Sequence, residues 1–152
     1  MSTSFRKILG LTALLAIAAV ATPAVASHFS PASLGKYVDP GDELCFREDW
    51  GAMRNACTSE RRFGIPVHTF WTGSQRAAVN VTAPDPSHPV CCQLITAENG
   101  GPYSIGLQVC TSTYRAASTL DVSAIFPPNG SGWVLCTVHP GAQVNHIWFS
   151  GS

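Results

Sequence analysis

Past Arg62 the chain alternates apolar and polar residues with a period of two, the mark of half-buried β-strands. Ile65, Val67, Thr69 and Trp71 alternate with Pro66, His68 and Phe70. Ala77, Val79 and Val81 then share one face, with Ala78, Asn80 and Thr82 on the other. Residues 72–76 between the two runs read as a hairpin loop that sets Val67 opposite Val81 and Thr69 opposite Val79. A one-residue slip would turn the apolar face to solvent, so this register is a definite expectation. Four more aligned sets follow: Val90, Cys92 and Leu94; Tyr103, Ile105, Leu107 and Val109; Leu120, Val122, Ala124 and Phe126; and Val134, Cys136 and Val138. Turn clusters at 85–89, 97–102, 127–130 and 140–141 punctuate them. The final run, 143–149, carries apolar residues on both faces. Roughly seven short strands with turn signals about every 8–12 residues predict an all-β chain folded as an antiparallel β-sandwich.

The earlier segments are less periodic. Pro31, Gly35, Pro40 and Gly41 break any pattern, so residues 27–43 read as an extended lead-in and 44–152 as the sandwich domain. Phe46, Trp50 and Met53 have helical spacing behind a capping Asp42, but Gly51 interrupts them. A short helix and an irregular segment stand there as equal alternatives. Residues 1–26 have the order of a signal peptide: Arg6 and Lys7, an apolar stretch over 8–21, then Ala24-Val25-Ala26 before Ser27. The stretch falls short of the ~20 residues that span a bilayer. A leader removed before Ser27 predicts a secreted or periplasmic protein with no membrane span left, and its short length suits a bacterial host.

Charge narrows the class further. Nine basic and nine acidic residues cancel and only 12% of the chain is charged, which excludes the clustered basic face of a nucleic-acid binder. Six cysteines in 152 residues fit a disulfide-stapled fold in an oxidising compartment. Adjacent Cys91 and Cys92 point to opposite faces of a strand. Setting Leu94 opposite Leu107 brings Cys91 to Cys110 on the outer face. Cys92 then joins the core beside Cys136, which leaves Cys45 for Cys57. No C-x-x-C spacing suggests zinc or redox chemistry instead.

Catalytic signatures are lacking in the sequence. His68, His139 and His146 would meet only if their strands are neighbours, and neither they nor His88 and His28 belong to an H-E-x-x-H motif. No G-x-S-x-G elbow occurs. Asp39, Asp42, Glu43, Glu48 and Asp49 lack the spacing of a calcium loop. No catalytic residue, metal or cofactor is therefore expected. Asn80-Val81-Thr82 and Asn129-Gly130-Ser131 match the glycosylation sequon. Four tryptophans are the more telling feature, because an indole on a rigid sheet can cover a sugar ring or anchor a protein. Trp71, at a hairpin end, and Trp133, on an outer face with Leu135 and Thr137, are the candidate ligand-binding residues. The sequence reads as an exported, non-catalytic binding or structural module whose partner is a glycan or an envelope protein. A carbohydrate-binding module using those tryptophans is the first alternative, and a small secreted hydrolase the second.

Overall fold

The computed structural model describes residues 27–67, 72–98, 101, 103–128 and 130–151. The expected signal peptide (1–26), His68 and Trp71 lie outside them. Twelve strands form, and no α-helix occurs among the described residues. They are β1 (Ser27–Pro31), β2 (Lys36–Tyr37), β3 (Phe46–Asp49), β4 (Ala52–Asn55), β5 (Arg61–Val67) and β6 (Gly73–Thr82). The chain continues through β7 (Val90–Ala97), β8 (Tyr103–Ile105), β9 (Val109–Cys110), β10 (Ala117–Phe126), β11 (Ser131–Val138) and β12 (Gln143–Gly151). One sheet has the order β10-β6-β12-β4-β3, with β1 paired to the rest of β12. The other has the order β2-β5-β11-β7-β8, with β9 also on β7. All pairings are antiparallel, and the two sheets form a sandwich.

The period-two pattern explains the core. Ala77, Val79 and Val81 of β6, with Leu120, Val122 and Phe126 of β10, are buried under the first sheet. Phe63 and Ile65 of β5, Leu94 of β7, and Val134 and Val138 of β11 meet them from the second. Each such side chain contributes about 1.5–3 kcal/mol by leaving water. A slip by one residue in any of these strands would forfeit its whole set.

Several expectations change. Val67 lies opposite Gly132, while Val81 lies between Ser118 and Val144. Thus β5 and β6 stand in different sheets and form no hairpin. Periodicity says which face is buried, but two apolar faces can meet across a core as well as side by side. Residues 27–43 are no mere lead-in, since β1 pairs with β12 and β2 with β5. Residues 46–55 are a hairpin instead of a helix: Trp50 and Gly51 both have positive φ (50° and 83°), as a tight two-residue turn requires. The helical spacing of Phe46, Trp50 and Met53 concealed that turn. Leu107 does not face Leu94, because the register slips by one between Ile95↔Ile105 and Cys91↔Cys110. The slip turns Tyr103, Ile105 and Leu107 outward. Gly106 sits in it, where a Cβ would collide with the Ser123 carbonyl oxygen.

Three disulfides staple the sandwich: Cys45–Cys57, Cys91–Cys110 and Cys92–Cys136. They are the pairs that strand parity yields. Cys92 and Cys136 are fully buried and directly opposite each other on neighbouring strands.

Among the described residues, Ser118 Oγ and the Gln75 amide are buried without a hydrogen-bond partner. Gln75 is 1% exposed on the inner face of β6, and among the described residues neither its Oε1 nor its Nε2 finds a hydrogen-bond partner. An unmade hydrogen bond of this kind costs about 1–3 kcal/mol. Gln75→Met keeps the length of the side chain and removes both polar atoms, so it is expected to raise the melting temperature by several degrees. A thermal melt checks this, and a lower midpoint would show that the amide has a stabilising role.

Candidate functional site

The exposed face of the first sheet carries a cluster of aromatic rings beside a side-chain hydrogen-bond network. Its geometry starts from a one-residue register shift in β12, between Val144↔Val81 and His146↔Asn80. Before the shift Val144 points inward, and after it Ile147 and Phe149 do. Asn145 is the extra residue, and bulges of this type re-aim the side chains that follow. His146 and Trp148 therefore face out, although they share the even parity of buried Val144. Strand β1 adds Phe29 directly opposite Trp148 and Pro31 opposite His146.

Three rings gather as a result. The centroid of His146 lies 5.2 Å from Trp148 and 5.1 Å from Phe29, and Phe29 lies 6.3 Å from Trp148. The rings are tilted by 40–53°, so they offer a faceted apolar surface and not a single stack. Phe29 and Trp148 remain 58% and 53% exposed, large values for side chains held against neighbours. On the other side of β12, Trp148 faces Ala78, which is too small to cover the indole, and Asp121 lies beyond it on β10.

A polar edge borders the rings. Gln143 donates from Nε2 to Asn145 Oδ1 at 2.8 Å. Asn145 Nδ2 in turn donates to Asn80 Oδ1 at 2.7 Å and to Thr82 Oγ1 at 3.2 Å. The network fixes the bulge residue and presents amide donors and acceptors beside His146. At the far corner the β3–β4 turn comes up against β1: a Cβ on Gly51 would lie 3.5 Å from that of Pro31, and Gly51 accepts from Ser33 N–H at 3.0 Å. That turn carries the fully exposed Trp50. A bulky residue held at positive φ is strained, and such strain concentrates at functional positions.

The sandwich is similar to those of carbohydrate-binding modules. It superposes on the CBM36-1 domain of a multidomain xylanase from the hindgut metagenome of Trinervitermes trinervoides with a TM-score of 0.55 and 8% identity, covering 84% of this chain and 98% of that one. For the family 35 carbohydrate binding module from Clostridium thermocellum the TM-score is 0.53 at 11% identity, with 82% and 98% covered. The Podospora anserina GH26-CBM35 β-(1,4)-mannanase matches with a TM-score of 0.51 and 8% identity over 83% of this chain, which spans only 28% of that enzyme's length. At these identities the likeness is one of fold. No protein-family model matches the chain, and no curated protein is significantly similar to it in sequence.

The residues singled out from the sequence are placed differently. Trp133 lies on the outer face of the second sheet between Pro66 and Ile95, 39% exposed, with no ring against it among the described residues. His139 and His146 do not meet: His139, just past β11, pairs with Glu60 at 3.1 Å and lies near His88, whereas His146 packs against Phe29 and Trp148. Among the described residues no group of three or more His, Cys, Asp or Glu is placed to hold a metal ion. Asp39 and Asp42 line an open depression of about 520 Å³ with Glu60, Arg61 and Arg62, where Arg62–Asp39 and Arg61–Asp42 ion pairs occupy the charges.

Two carboxyls titrate low. The Arg62 hydrogen bond holds Asp39 below the ordinary carboxylate value, and the His88 hydrogen bond does the same for Asp85. A depressed folded-state pKa stabilises the fold above the unfolded value of 3.8 and loses that contribution as pH falls through the lower one. Both groups are exposed, so the effect is small. Asp85→Asn is expected to flatten part of the acid limb of a melting-temperature profile and to leave the neutral region nearly unchanged.

Proposed function

We propose that the protein is an exported, non-catalytic carbohydrate-binding module whose ligand lies across Phe29, His146 and Trp148. The observation that carries this reading is the cluster of three part-exposed rings beside the Gln143–Asn145–Asn80 amide network. A sugar ring has one apolar face and an equatorial rim of hydroxyls. Tilted aromatic faces cover the first, and fixed side-chain amides exchange hydrogen bonds with the second. The sheet beneath is rigid, so little conformational entropy is lost on binding.

The fold likeness supports the same class, since the neighbouring structures include modules named for carbohydrate binding. Export under a leader at residues 1–26 accords with three disulfides, which persist in oxidising compartments. Among the described residues no helix is long and apolar enough to cross a membrane. Trp71 and Trp133 remain candidates for a second contact surface. The reading is tested by native affinity electrophoresis through gels containing xylan, mannan, glucan, galactan or pectic polymers. Retardation by at least one polymer is expected, and free migration through all of them would reject a polysaccharide ligand.

A further inference from the structure

The β3–β4 hairpin carries an arrangement that the aromatic cluster leaves unexplained. Arg47 and Arg54 stand directly opposite each other on its two strands. Like charges in that position repel and disfavour the sheet. Elsewhere on the molecule arginines near carboxylates are paired, as in Arg61–Asp42 and Arg62–Asp39. Arg47 and Arg54 take part in none of the ion pairs or side-chain hydrogen bonds found among the described residues, although Glu48 and Asp49 share their hairpin.

Both side chains line a depression of about 350 Å³, with Asn55, Ala56 and Gly141 as its other walls. The floor is stiff. Asn55 donates from Nδ2 to the Ser59 and Val138 carbonyls at 2.8 Å each, and its Oδ1 accepts from Cys57 N–H at 2.9 Å. Backbone bonds from Gly141 to Asn55 and from Ala56 to Cys45 hold the adjoining strands, and the Cys45–Cys57 disulfide closes the loop. Gly141 forms the wall beside the Arg54 guanidinium, and its φ of +75° is one that favours glycine.

The hairpin also borders the strand that carries the aromatic cluster, since β4 pairs with β12. Arg54 lies opposite Gln143, the first member of the amide network that ends beside His146. Two planar forks with unfilled donors match the paired oxygens of a carboxylate or a sulfate ester. We infer that the ligand is an acidic glycan, whose anionic group sits between Arg47 and Arg54 while a neighbouring sugar covers Phe29, His146 and Trp148. This rests on the carbohydrate-binding reading above and specifies its ligand class.

The experiment compares polygalacturonate, dextran sulfate and neutral dextran and galactan in affinity electrophoresis at about 0.15 M salt, where long-range attraction is screened. The proteins are wild type, the double variant Arg47→Gln/Arg54→Gln, Trp148→Ala, and Arg115→Gln as a control for loss of a cation outside the hairpin. Wild type and Arg115→Gln should be retarded by one acidic polymer, and the double variant should bind it about tenfold or more weakly. The same variant should melt no lower than wild type, since a repulsion has been relieved. Retardation by polygalacturonate alone assigns a carboxylate, and by dextran sulfate alone a sulfate. Undiminished binding by the double variant, or wild-type binding to neutral polymers only, overturns the acidic ligand and leaves the aromatic surface standing. Binding that needs the arginines but survives Trp148→Ala keeps the anion site and rejects the aromatic one. No retardation of wild type by any acidic polymer overturns the inference.

Discussion

Replacing Trp148 by alanine is expected to weaken retention on the polysaccharide ligand by about 30-fold or more while leaving the melting temperature within a few degrees of wild type. Residues that dominate a binding face typically lose at least about 2 kcal/mol on truncation, and tryptophan is prominent among them. Trp148 suits that role because it is the largest of the three rings, His146 supports it at 5.2 Å between it and Phe29, and Ala78 leaves one side clear. Its indole is half exposed, so the fold depends on it far less than on buried Ile147 and Phe149 of the same strand. Trp133→Ala is the matched comparison: an exposed tryptophan on the opposite sheet whose loss should leave retention on that ligand intact. Equal retention by Trp148→Ala and wild type would remove the aromatic cluster as the binding surface.

The largest effect on stability is expected from Cys92→Ala/Cys136→Ala. The bond closes a loop with a sequence separation of 44, against 12 for Cys45–Cys57 and 19 for Cys91–Cys110. Constraint of the unfolded chain grows with loop length and amounts to about 4 kcal/mol for the longest and about 3 kcal/mol for the shortest. Cys92 and Cys136 are also fully buried members of the core, with Cys136 opposite Phe63 on β5, so alanines there leave a small cavity as well. For a domain of this size the combined loss corresponds to a fall of about 10–20 °C in melting temperature. Cys45→Ala/Cys57→Ala, at the margin of the core, should fall by less. A reversed order under non-oxidising unfolding would show that native-state packing outweighs loop closure.

What could be read from the residues, and what could not, divides along a physical line. Alternation in β6, β7, β10 and β11 is strong because each strand buries one face, so strand identity, core membership and the cysteine parity of 91, 92 and 136 follow from local order. Strand neighbours depend on contacts between distant segments, and Val67 and Val81 illustrate the difference. The aromatic site was hidden for a related reason. His146 and Trp148 have the parity of Val144, and only the bulge at Asn145 turns them outward. The change of apolar parity from Val144 to Ile147 and Phe149 was a readable sign of that bulge. Phe29 carried no sign at all, since β1 has no periodicity and acquires its role by pairing with β12. Trp50 stood in the sequence beside a glycine, and the tight turn that exposes it was masked by accidental helical spacing.

The pairing of β1 with β12 has a consequence for when the site comes into being. Phe29 and Trp148 come from opposite extremes of the described sequence, and closing so long a segment is entropically slow and becomes favourable only once the intervening sandwich has organised. The aromatic cluster is thus among the last parts of the molecule to be assembled, and a partly folded or clipped chain lacks it. A ligand spanning both strands acts as a clasp across that seam, holding β1 down and raising the free energy of its local detachment by mass action. Hydrogen exchange in β1 should then slow in proportion to ligand occupancy, while exchange in the buried centre of β6 and β11 follows global unfolding alone.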